Sequence, residues 1–240
     1  MKTSIILKSE SFSYPTKEER KLYENQIPKI TRLNIEYKSA FINFLENKKI
    51  HNAINEEDIY WWNLCLNNRF GKLHSTYLFL LTHYNRYKKF EIEENDYKYT
   101  EAILYDYYVE IFYYYFYSVR DILGQFINVL YKLEKDEKDV SLNKRLIDEI
   151  PDINVKILFE EFNDSISYSN KKFRNAFTHR FTPNQKDNRA KTTISISDDE
   201  KNIGFGFGTE ISKEEFYEDS KKLIEQLSLL MKNFNEYVSK

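Results

Sequence analysis

Cysteine, glycine and proline are scarce: one, five and four copies in 240 residues. A lone Cys65 excludes a disulfide framework within the chain and points to a reducing, cytoplasmic interior. So few glycines and prolines leave few chain breaks, which favours long helices. The four histidines do not group at metal-ligand spacing, since His74 and His83 stand nine apart and His51 stands alone. No metal and no other cofactor is therefore expected. No apolar run is long enough for a membrane span, and Ile5-Ile6-Leu7 is too short for the apolar segment of a signal peptide. An excess of one charge is missing too. A formal net charge of -2 excludes a protein that coats nucleic acid over its whole surface, so any RNA contact has to be a local patch. No internal repeat or low-complexity linker stands out.

What the chain does have is aromatic and charged. It carries 20 tyrosines and 18 phenylalanines, with 41% hydrophobic and 31% charged residues, the balance of a globular chain able to bury one core. Thr16-Lys17-Glu18-Glu19 reads as a capping box opening a short helix. The spacing of Leu33, Tyr37, Phe41 and Phe44 predicts a helix over 30–47, and Asn55 is placed to cap the next, with Ile59, Trp62 and Leu66 on one face. Lys72–Lys89 reads as a separate helix with Leu73, Tyr77, Leu80, Leu81 and Tyr84 along its stripe. Residues 97–133 form the longest periodic segment, the expected central helix, apolar almost all round and rich in tyrosine. A charged break follows, then a short helix ending at Pro151. The segments 155–167 and 169–181 read equally as two helices or one bent helix. Thr192–Ser197 and Ile203–Thr209 alternate as a β-hairpin, and Ser212-Lys213-Glu214-Glu215 is a second capping box, for a terminal helix with Phe216, Leu223, Leu227, Leu230 and Phe234 on its core face. The fold class is mainly α.

The chemistry concentrates in Lys171-Lys172-Phe173-Arg174-Asn175-Ala176-Phe177-Thr178-His179-Arg180-Phe181. Arg174 offers a planar fork of donors for phosphate, and His179 is the side chain whose unperturbed proton affinity lies near neutral pH. Asn175 and His179, four apart, share a face on a helix; Arg174 lies about 140° round from His179 and has to reach with its stem. From Ser169 to Lys191 seven Lys and Arg face one acid, Asp187, which favours phosphate contact through Lys171, Lys172 and Arg180. Spacing alone is weak, since an Arg separated from a later His by four to six residues arises by accident about 0.45 times in such a chain. Arg69-Phe70-Gly71-Lys72-Leu73-His74 is such a decoy, without the Asn and with Gly71 expected to interrupt a helix.

Arg174-Asn175-Ala176-Phe177-Thr178-His179 resembles the R-N-x-x-x-H signature of the HEPN superfamily, all-helical domains of bacterial defence and toxin systems. The resemblance implies an antiparallel helical bundle that forms a homodimer, brings two motifs together and commonly cuts RNA without a metal. It covers the chain from about residue 97. That divides a single domain, residues 1–240, into an N-terminal helical extension (1–95) and a HEPN-like core (96–240) with the hairpin at about 192–209. In such domains a polar or acidic residue facing the motif often supports the Arg or His. Ser118 and Asp121, three apart on the long helix, are the candidates, with Asp121 counted as catalytic beside Arg174, Asn175 and His179, and with Ser118 and Arg120 as further RNA contacts. Many toxin members continue the motif as H-x-Y; here Phe181 has no hydroxyl, so modification of a motif tyrosine cannot occur at this position.

Two other readings stay open. One is a HEPN-like dimer that holds a nucleotide, an RNA or a protein partner without cutting; the other is a helical interaction protein in which the motif is accidental. As a ribonuclease in defence or a toxin–antitoxin pair, the protein is expected to be restrained by an antitoxin or regulatory partner.

Overall fold

The computed structural model describes residues 13–46, 49–174, 176–177, 183, 191–196, 201–206 and 211–238. Two long helices form its spine. Helix α3 (Ile50–Ile92) and helix α4 (Tyr97–Leu130) are joined by a four-residue turn with Glu94 at φ 53°, so they run antiparallel and pack along their length. Before them come α1 (Lys17–Glu24) and α2 (Ala40–Leu45); after them come α5 (Lys144–Asp148), α6 (Ile153–Ser165), the single turn α7 (Ser167–Ser169) and a π-helical turn at Asn170–Arg174. Strands β1 (Lys191–Ile196) and β2 (Lys201–Gly206) pair antiparallel, Lys191 opposite Gly206 and Ile196 opposite Lys201. The alternating Thr/Ile/Ser and Phe/Gly runs fall on these strands, except for Ser197 and residues 207–209, which lie outside the described residues. Helix α8 (Lys213–Val238) closes the bundle against α4 and α6.

The core follows helical periodicity. Leu66, Phe70, Leu73, Tyr77, Leu80 and Leu81 of α3 meet Tyr105, Val109, Phe112, Phe116 and Leu123 of α4, all buried. Phe216, Leu223, Leu227, Met231 and Phe234 of α8 complete the contact, with Phe234 edge-on to Phe126 and Phe159. Helix α1 carries its complete capping box and is tied to α3 by Arg86, whose Nε and Nη2 donate to Glu19 at 2.7 and 2.6 Å.

Two expectations change, and one open reading is resolved. Residues 28–39 form no helix; only Ala40–Leu45 does, and Tyr37, Phe41 and Phe44 are exposed while Leu33 is buried. The extended segment takes its partners from α3 instead: Asn63 donates to the Leu33 carbonyl at 3.2 Å, and Glu57 accepts from Tyr37 Oη and the Ala40 amide. The helices predicted from Asn55 and from Lys72 are one helix of 43 residues, and Gly71 does not interrupt it. Burial of the flanking Phe70 and Leu73 outweighs the roughly 1 kcal/mol that glycine costs relative to alanine. The motif segment bends: α6 stops at Ser165, Ile166 has φ -100° and ψ 1°, and the chain resumes at Ser167. Among the described residues no helix is long and apolar enough to cross a membrane.

Candidate functional site

The site begins with how α4 faces the motif turn. Tyr113 and Tyr117, four apart, are buried beneath the turn; Ser118 and Asp121, one position and one turn further on, are half-buried at its edge. The turn itself is π-helical from Asn170 to Arg174, a widened winding often found at functional sites because it shifts the phase of the residues after it. Phe173 is its anchor, buried with its ring 5.4 Å from Tyr113 and 5.1 Å from Phe216. With Phe173 inward, Arg174 projects along α4, its guanidinium carbon 5.3 Å from the centre of the Tyr117 ring.

Two acids of α8, one helical turn apart, hold this segment from the other side. Asp219 accepts from Tyr113 Oη at 2.6 Å and from Ser169 Oγ, so one buried carboxylate ties α4, α7 and α8 together. Burial pushes the Asp219 carboxyl above its ordinary value, while the Ser169 and Tyr113 hydrogen bonds pull it down. Glu215 pairs with Lys172, whose Nζ also donates to Tyr168 Oη at 2.7 Å.

Arg174, Ser118 and Asp121 line one cleft of about 630 Å³ together with Glu110, Tyr114, Tyr117 and Phe177. Burial raises the Asp121 carboxyl above its ordinary value, and the nearby positive charges of Arg174 and Arg120 offset part of that. The Tyr117 hydroxyl has no hydrogen-bond partner among the described residues, although its residue is 5% exposed. A buried hydroxyl left without a partner at the wall of a cleft is what a ligand or a water would satisfy.

The predicted site residues therefore separate. Arg174, Ser118 and Asp121 come together; Lys171 is exposed on the same turn. Lys172 is committed to Glu215 rather than standing as an unpaired cation. Arg120, expected as an RNA contact, is a correction: it points into the protein, where its guanidinium donates to the Leu142 carbonyl and to Asn163 Oδ1, and burial together with the like charge of Arg174 lowers its proton affinity. Asn175, His179 and Arg180 lie outside the described residues. Tyr117 is the residue that sequence reasoning missed. Its position four before Asp121 on the same helical face was a usable signal, hidden among the seven tyrosines of residues 105–117. Glu215 and Asp219 carried no such signal, being more than forty positions from the residues they hold.

A family model described as Cthe2314-like HEPN matches residues 21–240. The match starts well before residue 97, where the motif resemblance alone would begin, and takes in α3 as well as α4. The chain matches no curated protein and no solved structure. With a mainly helical bundle, an Arg-Asn-x-x-x-His segment and a family match over nearly its whole length, the chain belongs to the HEPN superfamily, in the Cthe2314-like HEPN family.

Proposed function

We propose that the protein is a metal-independent endoribonuclease that cuts RNA at a composite site in a homodimer. The observation that carries this reading is the cleft that gathers Arg174, Ser118 and Asp121 directly beside the motif turn. Cutting RNA by transesterification requires a base for the 2′-OH proton, positive charge on the phosphorane and an acid for the leaving 5′-oxygen. The 2′-oxygen attacks phosphorus as one His179 takes its proton. The P–O5′ bond breaks as the partner subunit's His179 returns a proton to the 5′-oxygen. Arg174 stabilises the phosphorane charge, Asn175 positions phosphate or imidazole, and Asp121 orients the motif's basic groups. The products are a 2′,3′-cyclic phosphate and a 5′-hydroxyl.

Two motifs per site require a dimer, and a two-fold pair is the commonest assembly. Helix α4 carries an exposed stripe for it. Tyr99, Ile103, Tyr107 and Tyr114 recur at spacings of four, four and seven, and the stripe runs into the cleft at Ser118 and Asp121. A second copy packed along that stripe brings the two clefts together. A bacterial defence or toxin–antitoxin setting, with a restraining partner, fits such an enzyme.

The test is incubation of wild type and His179→Ala with total RNA in EDTA, read on a denaturing gel. Cleavage by wild type alone is expected. If neither protein cuts while both bind RNA, the site is a binding site without catalysis; if both cut equally, His179 is not in the site.

A further inference from the structure

The cleft does not end at Asp121. Ser118 and Asp121 also line a second groove of about 480 Å³, between α3 and α4, bounded by Trp62, Arg69, Lys72 and Glu137 among others. Its two walls differ in charge. The α3 wall carries Arg69 and Lys72, three apart and on one face; the opposite wall carries Asp121 and Glu137. Both cations lie against the same ring: Arg69 Cζ is 5.8 Å and Lys72 Nζ 5.9 Å from the centre of Tyr115, which itself lines the first cleft. Among the described residues neither has a carboxylate partner, unlike Lys172, Lys88 or Lys213, each of which is paired. Two cations held by an aromatic face and left without an acid are placed to take an anion from the groove.

We infer that Arg69 and Lys72 form a backbone-phosphate subsite for single-stranded RNA, continuing the strand from the Arg174 cleft past Ser118 into the α3–α4 groove. This rests on the ribonuclease reading and extends it. The carboxylates of Asp121 on α4 and of Glu137 in the segment after it repel phosphate from the wall opposite α3, which keeps the strand on the α3 side. Arg69 thus has a use unrelated to its place in the decoy Arg69–His74 spacing: His74 faces a different cleft, lined by Lys29, Arg32 and Gly71.

The test measures binding of fluorescent oligoribonucleotides of graded length at several salt concentrations, using full-length protein with His179→Ala as the common background to prevent cutting. In that background Arg69→Gln/Lys72→Gln is expected to weaken binding of long oligonucleotides roughly tenfold, to leave the shortest ones unchanged, and to reduce the slope of log K against log salt by about 1.4, the loss of two phosphate contacts. The conservative pair Arg69→Lys/Lys72→Arg should retain affinity and slope, which separates charge from folding. Unchanged affinity and slope in the glutamine pair, with the parent still binding RNA, would overturn the subsite and leave the ribonuclease reading standing. Absence of RNA binding by the parent would remove both.

Discussion

Arg174 and Tyr117 form a cation–ring contact at 5.3 Å, so the first residue of the motif is held by an aromatic side chain of α4 one turn before Asp121. The ring fixes where the guanidinium can reach, and the hydroxyl beside it is buried without a partner. Tyr117→Phe keeps the ring and removes that hydroxyl. Its thermal midpoint is expected to hold or rise slightly, since no protein hydrogen bond is lost. RNA affinity is expected to fall several-fold if the hydroxyl donates to phosphate; unchanged affinity would leave Tyr117 a packing residue only.

Arg174→Gln removes a positive charge that offsets the burial of Asp121. The Asp121 carboxyl, already above its ordinary value of 3.8, should titrate higher still, followed by carbon-detected NMR. The sign for stability follows from proton binding. Between 3.8 and its raised folded value the native state holds this proton more tightly than the unfolded chain, so this group's contribution to stability falls as pH rises through that window. The window widens in the variant.

The carboxylate of Asp219 is the tie between α8 and the motif turn. Asp219→Ala leaves the hydroxyls of Tyr113 and Ser169 without their acceptor and should destabilise by about 1–3 kcal/mol. Amide exchange should quicken selectively over residues 167–174, and RNA cleavage should drop with it. Uniform exchange across the chain would make the tie a general stability element.

Two helical glycines should respond oppositely to alanine. At Gly71 a Cβ meets nothing within 4 Å, so Gly71→Ala gains helix propensity and should stabilise by about 0.5–1 kcal/mol. At Gly124 a Cβ would lie 3.1 Å from the Leu142 amide nitrogen. That strand of chain cannot easily yield, because the Leu142 side chain is buried and its carbonyl accepts from both Arg120 and Asn163. Gly124→Ala should destabilise by about 1–3 kcal/mol despite its better propensity. Urea midpoints of the two variants check both signs.

Charges placed on the α4 stripe should split the proposed dimer. Ile103→Glu/Tyr107→Glu alters exposed residues away from the cleft, so the monomer should remain folded by circular dichroism. Light scattering is expected to show one chain per particle and the cleavage assay no activity. A folded double variant that stays dimeric would move the interface elsewhere.

Sequence by itself determined the helical class, because apolar residues recur at helical period through 66–81, 105–127 and 216–234, and because few glycines or prolines interrupt them. It also determined the capping box at Thr16, an interaction between residues three apart, and it singled out Arg174, Ser118 and Asp121, which line one cleft. Periodicity misled where contacts are long-range. The stripe of Leu33, Tyr37, Phe41 and Phe44 looked helical, yet residues 28–39 are held extended by Asn63 and Glu57 of α3. Tertiary structure alone decided that Arg120 points inward to Leu142 and Asn163, that Lys172 is taken by Glu215, and that Asp219 latches Ser169. The physical reason is common to these cases. Local spacing fixes which residues share a face, but a charge's partner is chosen by whichever element folds against that face, and here the choosing elements are the 140–142 segment, α6 and α8.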